Sequence, residues 1–118
     1  IEGQGSLFHP SFAGVSLGLL HGSQPDAFIV CHEPTRTQMR GVETALPSIG
    51  AVIEQTIQCG KLTNKNIHCI GIALNTSNMK NNKSDIKKEI STQYQLPCID
   101  PITDNLDPFI DLLEKIND

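Results

Sequence analysis

Apolar residues follow two spacings along the chain, continuous runs and repeats of three or four residues. The continuous runs occupy residues 27–31, 67–74 and, more briefly, 96–100. Such runs suit strands that are covered on both faces, as in a parallel sheet. Apolar positions at helical spacing occupy the segments 11–21, 47–59 and 85–94, and the segment from 107 onward. The pattern predicts the order helix, strand, helix, strand, helix, strand, helix.

Residues that begin and end helices accompany the first of these segments. Ser11 is placed to cap the first helix, and Gly22 is placed to end it. Gly14 and Gly18 weaken a helix, but they fall four residues apart on one face. Their spacing predicts close packing of this helix on a neighbour.

The later helices carry similar signals. Pro47 suits the first turn of the second helix, and Gly60 suits its carboxyl-terminal cap. Ser84 is placed to cap the third helix, while Asp107 and Pro108 open the last one. Strands that alternate with helices of this length imply right-handed βαβ crossovers. We therefore expect an α/β fold, a three-layer parallel sheet flanked by helices.

Charge and composition narrow the classes of partner. The chain has 118 residues and a formal net charge of −4, so it lacks the basic excess of an electrostatic nucleic-acid binder. Its apolar runs are far shorter than the roughly 18 residues of a membrane-spanning helix. We expect a cytoplasmic protein that binds a small molecule, with neither nucleic acid nor membrane as partner.

The cysteines favour the same compartment. Cys31, Cys59, Cys69 and Cys98 include no C-x-x-C pair, so a zinc ribbon or thioredoxin-like site is not indicated, and we expect no metal site. Three of them lie in apolar runs. They are expected to be buried thiols in a reducing environment.

Ligands of an open α/β sheet bind at the carboxyl ends of its strands, which directs attention to the loops 2–10, 32–36 and 75–78. The first loop is the richest in polar groups and glycines. It is either a ligand site or a tight turn into the first helix, and its candidate residues are Glu2, Gly3, Gln4, Gly5, Ser6 and His9.

Other polar residues allow two readings each. His21 is either a helix-terminal histidine that favours the helix dipole or a ligand-binding residue, with Ser23 beside it. His32 and Glu33 follow a strand directly. Arg36 or Arg40 either contacts an anionic group or is a solvated loop charge.

One string imitates a phosphate-binding loop. Gly60, Lys61 and Leu62 are followed by Thr63, but the pattern requires Ser or Thr directly after the lysine and a further glycine at the position of Gln55. The string also follows a helix, whereas a phosphate loop follows a strand. The 118 residues therefore contain no phosphate-binding loop of their own.

Several short strings are distinctive. They read EGQGSL at 2–7, HP at 9–10, LLHGS at 19–23, PD at 25–26 and ALNT at 73–76. Together they resemble the carboxyl-terminal half of the domain-of-unknown-function 1611 family, whose members include D-glutamate N-acetyltransferases. The resemblance runs from residue 1 to about Asp100.

This resemblance implies a P-loop NTPase-like domain whose phosphate loop lies upstream of Glu2, so that residues 1–118 would be part of one larger domain. Glu2 would end the strand equivalent to the Walker B position. The Glu-Gly-x-Gly string is also similar to dethiobiotin synthetases, in which that loop approaches substrate and metal and a later strand-end Asn contacts the base. Carried over by position, the cofactor-binding residues would be Gly3, Gly5 and Asn75.

The implied activity is transfer of an acetyl group from acetyl-CoA to the amine of D-glutamate or a similar acidic amino acid. Attack by an amine requires a general base. Glu2 is the first candidate and His9 the second, while the substrate contacts would come from Gln4, Ser6, His21, Ser23 and Arg36.

Two other functions stay open. One is an ATP- and Mg²⁺-dependent ligase similar to dethiobiotin synthetase, and the other is a non-catalytic α/β module. Without a phosphate loop, the 118 residues are expected to bind neither nucleotide nor acetyl-CoA well by themselves. An exposed apolar sheet edge is expected to be covered by assembly, most simply as a homo-oligomer.

Overall fold

The structure is a computed structural model that describes residues 1–3 and 6–117. Helices and strands alternate in the order expected from the sequence. They are α1 (Ala13–Ser23), β1 (Ala27–His32), α2 (Ile49–Gly60), β2 (His68–Leu74), α3 (Lys83–Tyr94), β3 (Cys98–Ile99) and α4 (Asp107–Asn117). The predicted α/β class is confirmed.

The chain divides into two compact units. The first unit comprises Ile1–Asp26 and Thr37–His68 and contains α1 and α2. The second unit comprises Ala27–Arg36 and Cys69–Asp118 and contains the sheet together with α3 and α4.

The three strands form one parallel sheet, as predicted, and their order in the sheet is β1-β2-β3. β2 pairs with β3 in parallel, with Ile72 opposite Cys98 and Ala73 opposite Ile99. At the carboxyl end of the other pair, the Asn75 N–H donates to the carbonyl oxygen of His32 over 2.9 Å. β2 is thus the central strand, and all three strands end at the same edge.

The central strand supplies the core of the second unit. Ile72 and Leu74 are fully buried. Gly71 directly precedes Ile72 in this strand. The ring of Phe109 from α4 occupies the space that a Cβ at Gly71 would need. Glycine is therefore required here because a helix side chain approaches the strand backbone directly.

The outer strand β1 departs from expectation. Its continuous apolar run predicts burial on both faces, but only Val30 is buried, while Ile29 and Cys31 are exposed. The prediction that Cys31 is a buried thiol is wrong, because alternate side chains of this edge strand point to a face that the described residues leave open. Cys59 and Cys69 are partly buried and Cys98 is buried, and all four cysteines are thiols.

Helix α1 begins later than the capping signal suggests. Phe12 occupies the N-cap position without a side-chain cap, so Ser11 is not the cap, and the helix continues through Gly22 to Ser23. It ends at Gln24, whose φ of 48° is left-handed. The prediction of close packing through the paired glycines is wrong, since a Cβ at Gly14 or Gly18 would meet no other element within 4 Å among the described residues.

Helix α2 is capped by Ser48, whose hydroxyl accepts a hydrogen bond from the Ala51 N–H over 3.1 Å. Pro47 therefore precedes the helix. Gly60 is its last residue and not a left-handed cap, because Lys61 follows in right-handed conformation. Instead, a Cβ at Gly60 would stand 2.5 Å from the Ile67 side chain, so close approach explains this glycine.

The remaining helices start near their predicted residues. α3 begins at Lys83 after Asn82, whose φ is 61°, so Ser84 lies inside the helix and does not cap it. α4 begins at Asp107 as predicted. Over residues 1–3 and 6–117, none of the helices has the length and apolar character needed to cross a membrane.

Candidate functional site

The carboxyl edge of the sheet gathers polar side chains from three loops of the second unit. Asn78 follows β2, and its Nδ2 donates to Oε1 of Glu33, which follows β1, over 2.8 Å. Two of the three loops predicted from the sequence, 32–36 and 75–78, are therefore joined by a hydrogen bond. We call the residues gathered here the strand-end cluster: His32, Glu33, Arg36, Asn75, Thr76, Asn78 and Asp100.

Glu33 organises the part of the cluster beside β1. Its Oε2 forms a salt bridge of 2.9 Å with Arg36, and its Oε1 also accepts from the Thr35 hydroxyl over 3.2 Å. Arg36 is thus held by a carboxylate of its own loop. A guanidinium has five N–H donors, so the pairing leaves Arg36 with donors for a further anion.

Asn75 directly follows β2, and its side chain is held in one orientation. Its Oδ1 accepts from the Ser77 hydroxyl over 2.6 Å and from the Ser77 N–H over 3.1 Å. Since the amide oxygen is occupied, the side chain offers its Nδ2 donors to a ligand, and Asn75 is exposed.

Asp100 is the residue of this edge that sequence reasoning missed. It directly follows β3 and is only 4% exposed. Its Oδ2 accepts from the Thr76 hydroxyl over 2.5 Å and from the Thr76 N–H over 3.2 Å, while its Oδ1 accepts from the Ile102 N–H over 2.9 Å. The hydroxyl of Thr76, followed by the N–H of Ile102, keeps the pKa of Asp100 below its usual value.

A second carboxylate supports the first. Asp104 Oδ2 accepts from the Asp100 N–H over 2.8 Å and from Lys87 Nζ over 2.7 Å. The hydrogen bond from Lys87 lowers the pKa of Asp104, and the Lys87 charge contributes to lowering the pKa of Asp100.

A signal for Asp100 is present in the sequence. Ligand-binding groups follow the strands of a parallel sheet, and this rule applies to β3 as it does to the other strands. It could therefore have identified Asp100.

Burial changes the acid–base character of two residues near this edge. It lowers the pKa of His32, and the neighbouring Glu33 charge only partly opposes that shift, so the imidazole is neutral near pH 7. Burial likewise raises the pKa of the Cys98 thiol to about 11, so Cys98 remains protonated. Neither is a charged group at neutral pH.

The first loop belongs to the first unit. Ile1, Glu2 and Gly3 are exposed and form no strand, so the expected strand ending at Glu2 is not seen there. Gln4 and Gly5 lie outside the described residues. Ser6 accepts the Phe8 N–H on its hydroxyl over 3.0 Å, which closes a local turn.

His9 is buried in this loop, and both of its ring nitrogens have partners. Nδ1 accepts the Ser11 N–H over 3.1 Å, and Nε2 lies 3.0 Å from the carbonyl oxygen of Arg40. Because Nδ1 accepts, Nε2 carries the proton and donates, which fits a neutral imidazole. In this conformation His9 has no nitrogen left to take a proton from a substrate.

His21 and Ser23 also make contacts within the first unit. His21 lies in the last turn of α1, and its Nε2 is 2.8 Å from the carbonyl oxygen of Cys59 near the end of α2. The Ser23 hydroxyl donates to the Leu20 carbonyl over 3.4 Å. These contacts join and end helices. In the described part of the chain, no three His, Cys, Asp or Glu side chains are grouped as metal ligands.

Comparison with known proteins identifies the family to which the chain belongs. A model described as a domain of unknown function (DUF1611_C) P-loop domain matches residues 1–110. The chain belongs to this family. A D-glutamate N-acetyltransferase from a Pseudoalteromonas species is 50% identical to it over 112 residues, which is 93% of this chain and 34% of the relative.

A second D-glutamate N-acetyltransferase, from Tritonibacter scottomollicae, is 39% identical over 118 residues. This alignment covers 98% of the chain and 35% of the relative. The chain therefore spans about a third of the length of the curated relatives that it matches. The resemblance expected from the sequence strings is confirmed.

Proposed function

We propose that the protein carrying this sequence transfers an acetyl group to the amine of D-glutamate. The observation that carries this proposal is the 50% identity, over 112 residues, with a relative that bears the name of that activity. We further propose acetyl-CoA as the acetyl donor, because its thioester is a reactive acyl group with a good leaving group.

In this reaction the neutral amine attacks the thioester carbonyl, a C–N bond forms and the C–S bond breaks. The thiolate of CoA leaves and takes up a proton, and the attacking nitrogen loses one. A general base is therefore needed beside the amine. Glu2 is our candidate, since its carboxylate is exposed whereas both ring nitrogens of His9 are engaged.

The substrate has two carboxylates, so cationic groups are needed to bind it. Arg36 is the candidate, because it lies in the strand-end cluster and Glu33 orients its guanidinium without using all of its donors. Gln4, Ser6, His21 and Ser23 remain candidates for neutral contacts. The contacts of His21 and Ser23 with helix-end carbonyls make these two the weaker members of that set.

On the donor side, we propose that Asn75 contacts the adenine base, and Gly3 and Gly5 remain candidates for cofactor binding. The Asn75 amide supports this role, since its oxygen is occupied and its Nδ2 is left to donate to a ring nitrogen. An adenine nucleotide could also be ATP with Mg²⁺, as a ligase would require.

The first test measures CoA release by the protein carrying this sequence, with D-glutamate or L-glutamate as acceptor. We expect release with D-glutamate that needs no ATP. Turnover of ATP with an amine substrate and no dependence on acetyl-CoA would replace the acetyltransferase proposal with the ligase.

Two variants assign the roles. Glu2→Gln removes the base and is expected to lower kcat on the order of a hundredfold, within the range for general-base catalysis. Unchanged turnover at saturating substrates would remove Glu2 from that role. Arg36→Ala is expected to raise KM for D-glutamate about tenfold, the effect of one lost charge-assisted hydrogen bond. Arg40→Ala, a matched loop arginine, is expected to leave KM unchanged.

A further inference from the structure

Asp100 is a buried carboxylate to which the proposed reaction assigns no part. It lies opposite the end of β2, because the register that pairs Ala73 with Ile99 brings the residues after both strands together. Burying a charge is costly unless hydrogen bonds compensate it. Here the compensation comes largely from one residue of the neighbouring loop, Thr76, which is only 1% exposed.

The contact fixes the backbone at the exit of β2. Asp100 Oδ2 receives both the N–H and the hydroxyl of Thr76, at 3.2 and 2.5 Å, so the carboxylate fixes both the position and the orientation of this residue. Thr76 in turn accepts the Met79 N–H on its carbonyl oxygen over 3.0 Å. The turn at 76–79 is thereby closed on a buried anchor.

Asn75 is the residue immediately before this anchor. Its backbone N–H is bound to the His32 carbonyl over 2.9 Å, and its side-chain oxygen is bound by Ser77. The backbone of Asn75 is thus held on one side by β1 and on the other by Thr76. Asn75 is exposed, and its Nδ2 has no hydrogen-bond partner among the described residues.

We propose that Asp100, acting through Thr76, is a positioning residue that aims the Asn75 amide at the base of an adenine nucleotide. This inference rests on the proposed function for the identity of the ligand. It adds a residue pair and a mechanism, since an exposed amide binds well only if its orientation is fixed before the ligand arrives. Neither Asp100 nor Thr76 touches the ligand.

The decisive variant is Thr76→Val, which removes the hydroxyl and keeps the shape and the backbone N–H. We expect KM for acetyl-CoA to rise about tenfold, the factor carried by one ordinary hydrogen bond, with kcat little changed. Thr76→Ser keeps the hydroxyl and is expected to restore the wild-type KM. KM for D-glutamate is expected to stay the same in both variants.

An acetyl donor without adenine separates positioning from simple structural damage. Acetyl-pantetheine has the thioester and the arm but no nucleotide, so Thr76→Val and wild type should use it equally well. A structural defect would lower activity with both donors to the same extent, and this result would overturn the proposal. Failure of Thr76→Ser to restore KM would overturn it too.

Binding measurements keep the inference testable if the acetyltransferase proposal fails. Calorimetric titration with CoA and, separately, with ATP shows which source of adenine the site accepts, without turnover. The Kd of the accepted nucleotide should rise about tenfold in Thr76→Val and in Asn75→Ala, and the double variant should be no worse than either single one. Additive effects of the two substitutions would contradict an action of Thr76 through Asn75.

Discussion

Helix α1 and strand β2 both consist mainly of apolar and small residues, yet their side chains are packed to opposite degrees. None of the residues of α1 is buried, and in the part of the chain that the structure describes nothing packs against Gly14 or Gly18. β2 contains the fully buried Ile72 and Leu74, and the ring of Phe109 packs directly against its Gly71. Apolar composition therefore does not reveal where the chain is closely packed, because packing depends on what lies opposite each side chain.

The polar groups that close the turns beside these two elements differ as well. The turn after β2 is closed by a buried charged group, Asp100, whereas the turn before α1 is closed by a neutral one, His9. The sequence drew attention to the second of these and not to the first. Substitutions around β2 should therefore have larger effects on stability than matched substitutions around α1.

The largest effect is expected from Asp100→Ala. It leaves the buried hydroxyl and N–H of Thr76, and the N–H of Ile102, without their acceptor, which should cost about 3 kcal/mol of unfolding free energy. Urea denaturation followed by circular dichroism measures this loss. Asp111→Ala in α4 is the matched control, because Asp111 is exposed, and it should change stability by no more than about 0.5 kcal/mol. Equal stability of both variants would show that Asp100 is no anchor.

A glycine pair tests close packing directly. Gly71→Ala in β2 forces the Phe109 ring to move and should destabilise the protein by about 2 kcal/mol, as overpacking does. Gly18→Ala in α1 adds the same methyl group to a helix interior with open space, so it should stabilise by up to about 1 kcal/mol. Thermal melts of the two variants should therefore shift in opposite directions. A shift in the same direction would remove the contrast between α1 and β2.

The loss of folding stability at low pH should also arise mainly from residues near β2. Asp100 and Asp104 have pKa values below the ordinary value near 3.9, so the folded protein binds protons less readily than the unfolded chain. Their stabilising effect is complete above about pH 5 and is lost as pH falls through the lowered pKa values. Asp100→Asn should therefore flatten the loss of stability between about pH 5 and pH 2. An unchanged slope in denaturation midpoints across that range would exclude Asp100 as a source of the effect.

The order and type of the helices and strands could be predicted because apolar spacing alone determines them. Helix ends were predicted less well. Ser11 and Ser84 are good capping residues, but Phe12 and Asn82 occupy those positions, since packing and backbone geometry decide the first helical turn. The sequence context of Gly60 indicates a helix cap because it gives no sign that Ile67 packs against this glycine.

At the carboxyl edge of the sheet, the sequence predicts two of the loops that the structure brings together, and it gives no sign of Asp100, which joins one of them to β3. Strand-end loops can be chosen from a parallel sheet by rule, so the vicinity of Glu33 and Asn75 was predictable. The contact between Thr76 and Asp100 depends on the register of β2 and β3, which apolar runs of unequal length do not determine. The interpretation of His9 depended on its partners, and a sequence does not show whether ring nitrogens are occupied.

The smallest perturbation of the protein is chemical labelling of the cysteines, which compares buried and exposed positions without changing the sequence. Cys31 is exposed, while Cys98 lies opposite Ile72 and has its pKa raised to about 11 by burial. Only the thiolate reacts with iodoacetamide, and Cys98 is both buried and held protonated, so at pH 8 it should react on the order of a hundredfold more slowly than the exposed Cys31. Peptide mass spectrometry over a time course measures both rates in one sample.

Asp100→Asn offers a sharper version of this experiment. Loosening of the region around β2 should increase the labelling rate of Cys98 and leave the labelling rate of Cys31 unchanged. If both cysteines accelerate equally, the substitution opens the second unit as a whole and not the region around β2 alone.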